Sequence, residues 1–167
     1  MSADPSFTHD PELDLLLERL VDVPVGLVWK AWTEPEHLKA WFTPRPYETV
    51  ECEIDLRPGG RFYTVMRDPD GNEFPGLGCY LEVEAPVRLV WTSALHPGYR
   101  PLPADEEGGL LFTAELTFEP IGDSTRYSAR AIHGTRKDAE THDQIGFLDG
   151  WGTALDQLVE HMSSQAP

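Results

Sequence analysis

His133, Asp138, Glu140 and His142 lie within ten residues of one another, where the hydrophobic pattern passes from strand to helix. Histidine titrates near neutral pH, so a His–acid pair at this junction could take up and release protons. Asp138 and His142 are four residues apart and would share one face of a helix. The same side chains could ligate a divalent cation, but their spacing matches no established metal motif. A structural role competes with both readings. Asp138 and Glu140 in a first helical turn suit the helix dipole on their own, and His142 would then bond across the helix surface. No metal or cofactor is assigned, and His133 and His142 stand as the candidate catalytic pair.

Other chemistries find no support in the pattern. The chain has no Gly-x-Ser-x-Gly motif and no placed Cys–His pair. Pro58-Gly59-Gly60 joins two strand patterns as a hairpin turn; it does not open a helix as a phosphate-binding loop would. The 29 acidic residues outnumber 13 basic ones, leaving a net charge of −16. Such a field repels nucleic acid and anionic membrane, which are bound through clustered Lys and Arg. No stretch reaches the roughly 18–20 consecutive apolar residues of a membrane span. Met1 to Pro11 lacks the features of a signal peptide and reads as a flexible tail, with one domain over residues 12–164. Cys52 and Cys79 sit at apolar positions of strand patterns, as small hydrophobes of a reduced, cytoplasmic protein.

The elements that must position the histidines follow from periodicity. Leu13, Leu15, Leu17, Val21 and Val23 alternate as one face of a strand, and Arg19 falls on that same face. Pro24 opens a short helix, and Thr33-Glu34-Pro35-Glu36 predicts a capping box that starts a second, carrying Leu38, Trp41 and Phe42. Strands follow with inward faces at Val50 to Leu56, at Phe62, Thr64 and Met66, and at Leu77, Cys79, Leu81 and Val83. Leu89 to Leu95, Leu110 to Phe118 and Tyr127 to His133 continue the series. His96 to Gly109 is rich in Pro, Gly and acid, which predicts a long exposed loop. From Asp138 onward the spacing of Ile145, Leu148, Trp151, Leu155, Leu158 and Met162 predicts one amphipathic helix of about seven turns. Its other face carries Asp149, Thr153, Asp156, Gln157 and Glu160. An antiparallel sheet with helices on one side is an α+β fold, and the last helix must cover the sheet's apolar concave face.

Three blocks carry a resemblance to a known family. They are Val23-Pro24 with Trp29, Trp32-Thr33-Glu34-Pro35-Glu36-His37-Leu38 and Trp41; Asp55-Leu56-Arg57-Pro58-Gly59-Gly60-Arg61-Phe62; and Gly146-Phe147-Leu148-Asp149-Gly150-Trp151 with Leu155 and Leu158. The run from Gly76 to Leu95 fits between the second and third. The chain resembles, from about Leu13 to Met162, proteins related to the activator of the heat-shock protein 90 ATPase. The resemblance implies the START-like helix-grip fold, with about six or seven strands curved around a long C-terminal helix. That fold is shared with lipid-transfer domains, polyketide cyclases and pollen allergens, so function has to be argued from the site. Co-chaperones of this kind carry a further chaperone-binding domain for which this chain has no room.

In such a fold Trp91, Leu95, Phe112, Tyr127, Leu148, Trp151 and Leu155 would wall a cavity between sheet and helix. Gly152 would leave space beside the helix, and His133 or Gln144 would orient a bound molecule. The expected partner is a small lipophilic or aromatic molecule. An enzyme of cyclase or hydrolase type using the same cavity, and a protein that stimulates a chaperone ATPase, are the alternatives. The oligomeric state is left at monomer or homodimer.

Overall fold

The computed structural model describes residues 9–103 and 109–165. Strand β1 (Asp14–Val21) leads into helices α1 (Val25–Thr33) and α2 (Pro35–Trp41). Strands β2 (Glu48–Ile54), β3 (Arg61–Arg67), β4 (Glu73–Glu84) and β5 (Arg88–Thr92) follow, then the short β6 (Leu95–His96) and β7 (Arg100–Pro101). Strands β8 (Phe112–Ile121) and β9 (Ser124–His133) precede helices α3 (Arg136–Gln144) and α4 (Phe147–Ser163). Seven strands form one antiparallel sheet in the order β1-β9-β8-β5-β4-β3-β2. The chain therefore crosses from one edge of the sheet to the other through α1 and α2, and both pack against α4. This is a helix-grip fold: Ala114, Leu116, Phe118, Tyr127, Ala129 and Ala131 face inward and are buried, with Leu155, Leu158 and Met162 of α4 against the same core.

Where the observed elements depart from the periodic reading, the cause is local. The final helix is two helices, because Gly146 takes a left-handed φ of 97° that ends α3 and resets the phase. Phe147 is buried as a result, and Leu148 is 51% exposed. The capping box does not form. Glu34 precedes α2 in an extended conformation with Pro35 in the first turn, and the Thr33 hydroxyl donates to the Trp29 carbonyl at 2.7 Å. In β4 a register shift between Tyr80 and Glu82 interrupts the alternation, so that Tyr80 and Val83 both meet the core. Tyr80 stacks on Phe62 with ring centroids 5.4 Å apart, in place of the expected Cys79. Of the predicted loop from His96 to Gly109, the first part pairs as β6 and β7, and residues 104–108 lie outside those described. Residues 1–8 of the expected tail also lie outside them, while the carbonyl of Asp10 accepts from the N–H groups of Leu13 and Asp14.

The Asp55 to Gly60 turn explains its two glycines. Gly59 has φ 82° and sits under the Tyr99 ring, and Gly98 N–H donates to its carbonyl at 2.7 Å. A Cβ on Gly60 would lie 1.9 Å from the Asp55 carbonyl oxygen, which is backbone and cannot swing aside. Gly60→Ala is therefore expected to destabilise the fold by about 1–3 kcal/mol, read as a lower urea midpoint with an unchanged slope. An unchanged midpoint would mean that the turn opens without cost.

Charged pairs join elements on both faces of the sheet. On its outer face, Arg130 of β9 bridges Asp14 of β1 (3.5 Å) and Glu115 of β8 (2.9 Å). Arg88 of β5 continues the ladder from Glu115 (3.0 Å) to Glu82 of β4 (2.6 Å). On the inner side, Arg19 of β1 pairs with Asp156 of α4 at 2.6 Å, which accounts for a charge on the inward face of that strand.

Candidate functional site

A cavity of about 480 Å³ lies between the sheet and the helices. The sheet contributes Met66, Trp91, Phe112 and Tyr127, and α1, α2 and the segment after them contribute Trp32, Trp41, Phe42 and Pro44. The α3–α4 junction and α4 close the other side with His142, Ile145, Gly146, Phe147, Gly150, Trp151 and Ala154. Ile145 is 70% exposed, placing it where the lining meets solvent.

Aromatic rings set the shape. Trp91 packs edge-on to Phe62 (5.0 Å) and Phe112 (5.6 Å), and lies near-parallel to Trp151, with centroids 6.5 Å apart and planes at 14°. That spacing is at the far end of the range over which stacked rings touch. Phe147 holds Trp151 from behind at 5.1 Å. Gln157 anchors the wall after α2: its Nε2 donates to the carbonyls of Trp41 (3.0 Å) and Thr43 (2.8 Å), and its Oε1 accepts from Arg45 N–H (2.9 Å). Amphipathic patterning assigns this residue to the solvated face, yet it is buried.

Polar groups on the walls are few. Trp32 Nε1 donates to Tyr127 Oη (3.1 Å) and Trp41 Nε1 to the Ala31 carbonyl (3.0 Å). Trp91 Nε1 is buried and has no acceptor among the described residues. His142, 6% exposed, has its Nδ1 2.9 Å from Nε2 of His133, which is 3% exposed and lies behind it. His133 Nδ1 is 2.7 Å from the Leu13 carbonyl oxygen. A carbonyl only accepts, so His133 Nδ1 carries a hydrogen and donates. With both rings neutral, His133 Nε2 then accepts and His142 Nδ1 donates, which leaves Nε2 of His142, a residue of the cavity wall, as an acceptor with no partner among the described residues.

Burial, with the neighbouring His133, pushes His142 down to about 4, so it is neutral at pH 7 and a weak base. The sign of the pH dependence follows. Above pH 6.5 the ring is neutral in both the folded and the unfolded chain. Between pH 6.5 and about 4 the unfolded chain takes up the proton and the folded chain does not, so stability falls as the pH falls. His142→Gln is expected to remove a decline on the order of 1 kcal/mol between pH 7 and 5, measured by urea unfolding at each pH. Parallel profiles for the two proteins would show that His142 protonates freely in the folded state.

The profile of the family described as "Activator of Hsp90 ATPase homolog 1-like protein" matches residues 22–163. The chain belongs to that family. Among solved structures, the family member resembles protein NE0264 from Nitrosomonas europaea at 48% identity and TM-score 0.88, over 94% of this chain and 98% of that one. A protein from Arthrobacter aurescens (23% identity, TM-score 0.75, 92% and 87% covered) shares the fold. So does an AHSA1-like protein from Aeromonas hydrophila (20%, TM-score 0.68, 92% and 94%). No curated protein matches the chain.

Of the residues expected at the site, the structure brings Trp91, Phe112, Tyr127, Trp151 and His142 to this family member's cavity wall, with His133 directly behind. It does not place the others there. Gln144 ends α3 facing solvent, and Leu148 turns outward because Gly146 resets the helix. Leu95 lies half-buried in β6, outside the lining. Leu155 is packed in the core beyond it. The space expected beside Gly152 is filled, since a Cβ there would stand 3.2 Å from the Arg19 guanidinium. Asp138 does not pair with His142; its N–H takes the cap from Thr135 Oγ1 at 3.1 Å. The walls missed by sequence reasoning include Met66, Phe147, Ala154 and the group around Trp32, Trp41, Phe42 and Pro44; the clustering of aromatics at Trp32, Trp41 and Phe42 was the signal available. Among the described residues no three His, Cys, Asp or Glu side chains gather closely enough to hold a metal ion. Burial pushes the Cys52 thiol up to about 11, so it is no thiolate nucleophile at neutral pH.

Proposed function

We propose that the protein binds a small, largely apolar molecule of aromatic size in the cavity between the sheet and α4. The observation that carries this reading is an aromatic-walled space of about 480 Å³ inside an otherwise close-packed core, within the 300–1,000 Å³ typical of ligand sites. Acid–base chemistry on the same cavity is less well supported. A histidine held at about 4 is neutral at working pH but takes up a proton poorly, and the expected carboxylate partner is not beside it. The family's description makes stimulation of a chaperone ATPase the second reading, to be tested by adding the protein to such an ATPase and measuring turnover.

Native against denaturing mass spectrometry of freshly purified protein tests the binding reading. A defined extra mass in the native spectrum, released on denaturation and recovered by organic extraction, is the expected result. A bare chain that also fails to take up added naphthalene would overturn it.

A further inference from the structure

We propose that the cavity selects a neutral, planar aromatic that carries a hydroxyl group and donates its hydrogen to His142 Nε2. This rests on the binding reading above and specifies its ligand class. With both rings neutral, the Leu13 carbonyl sets the direction of each hydrogen in the pair, and the last member is an acceptor. Among the described residues His133 bonds only the Leu13 carbonyl and His142, and no carboxylate. His142 Nε2 makes no hydrogen bond to another described residue, and a wall acceptor of this kind is satisfied by a ligand donor.

Two further observations narrow the class. Among the described residues the lining contains no Lys or Arg, and the chain carries a net charge of −16. A carboxylate would lose its hydration without a countercharge and would set its lone pairs against that of His142. The near-parallel Trp91 and Trp151 rings favour a flat body over a branched aliphatic one.

The test compares naphthalene, 2-naphthol and 2-naphthoate as probes by calorimetric titration of the full chain. The hydroxyl is expected to tighten binding at least about 10-fold over naphthalene, and the carboxylate to weaken it at least about 10-fold relative to naphthol. In His142→Phe, which keeps a ring but removes the acceptor, the naphthol-to-naphthalene ratio should fall to about one. A parallel readout needs no variant: ¹⁵N spectra of the wild-type imidazoles should show the His142 Nε2 resonance moving with naphthol and not with naphthalene. Equal affinities for naphthol and naphthalene, preference for naphthoate, or an unmoved Nε2 resonance on saturation with naphthol would overturn the proposal and leave the cavity reading standing. Failure of all three probes to bind would remove both.

Discussion

Trp151→Glu is expected to weaken binding of apolar aromatic probes by more than about 100-fold while leaving the far-ultraviolet circular dichroism spectrum intact. Trp151 stands on α4 in the middle of the cavity wall, in ring contact with Trp91, Phe112, Phe147 and Trp32. Glutamate there removes one of the two near-parallel indoles and puts a carboxylate beside a lining that holds no Lys or Arg among the described residues. The helix itself does not depend on the indole. Leu155, Leu158 and Met162 anchor α4 to the core below the cavity, and Gln157 ties it to the segment after α2. Trp151→Leu, a milder change, should keep the fold and part of the affinity. Loss of the dichroism spectrum in both variants would assign Trp151 to the core, and undiminished affinity in both would place the ligand elsewhere.

The second large effect concerns stability and not affinity. Arg130→Met should cost about 3–5 kcal/mol, because it leaves the buried Asp14 carboxylate without its guanidinium partner and takes one of two cations from Glu115, which keeps Arg88. Arg130 points to the outer face of the sheet, away from the cavity, so probe affinity of the folded fraction should not change. Methionine keeps most of the side-chain volume, which isolates the charge. Arg130→Met combined with Asp14→Asn should recover part of the loss, since the buried carboxylate that lost its guanidinium partner is removed. A loss below about 1 kcal/mol in the single variant would show that water reaches these carboxylates.

How much of this was legible beforehand depends on which rule each segment obeys. The faces of β8 and β9 follow from alternation because no bulge interrupts them, and His133 falls on the inward face as period two requires. The β4 face does not, since a bulge at Tyr80 leaves no mark in a list of apolar residues. Gly146 is equally silent. Ile145, Leu148 and Trp151 keep helical spacing across it, and only the left-handed backbone reveals that Phe147 replaces Leu148 on the inner side. Gln157 was assigned to solvent because amphipathic patterning sorts residues by type, whereas its burial depends on three main-chain partners in the loop after α2. His142 reached the site list through its spacing from Asp138. Its partner is His133, brought across the strand-to-helix junction by a turn whose geometry spacing does not encode.

The central claim is that a small aromatic occupies the space between sheet and α4, and chemical-shift mapping tests it most directly. With ¹⁵N-labelled wild-type protein and 2-naphthol, the indole resonances of Trp91 and Trp151 and the amides of His142, Phe147 and Phe112 should shift together and saturate at one equivalent. Amides of the outer face around Arg88, Glu115 and Arg130 should stay in place. Shifts confined to that outer face, or no saturable shift at any indole, would contradict the account.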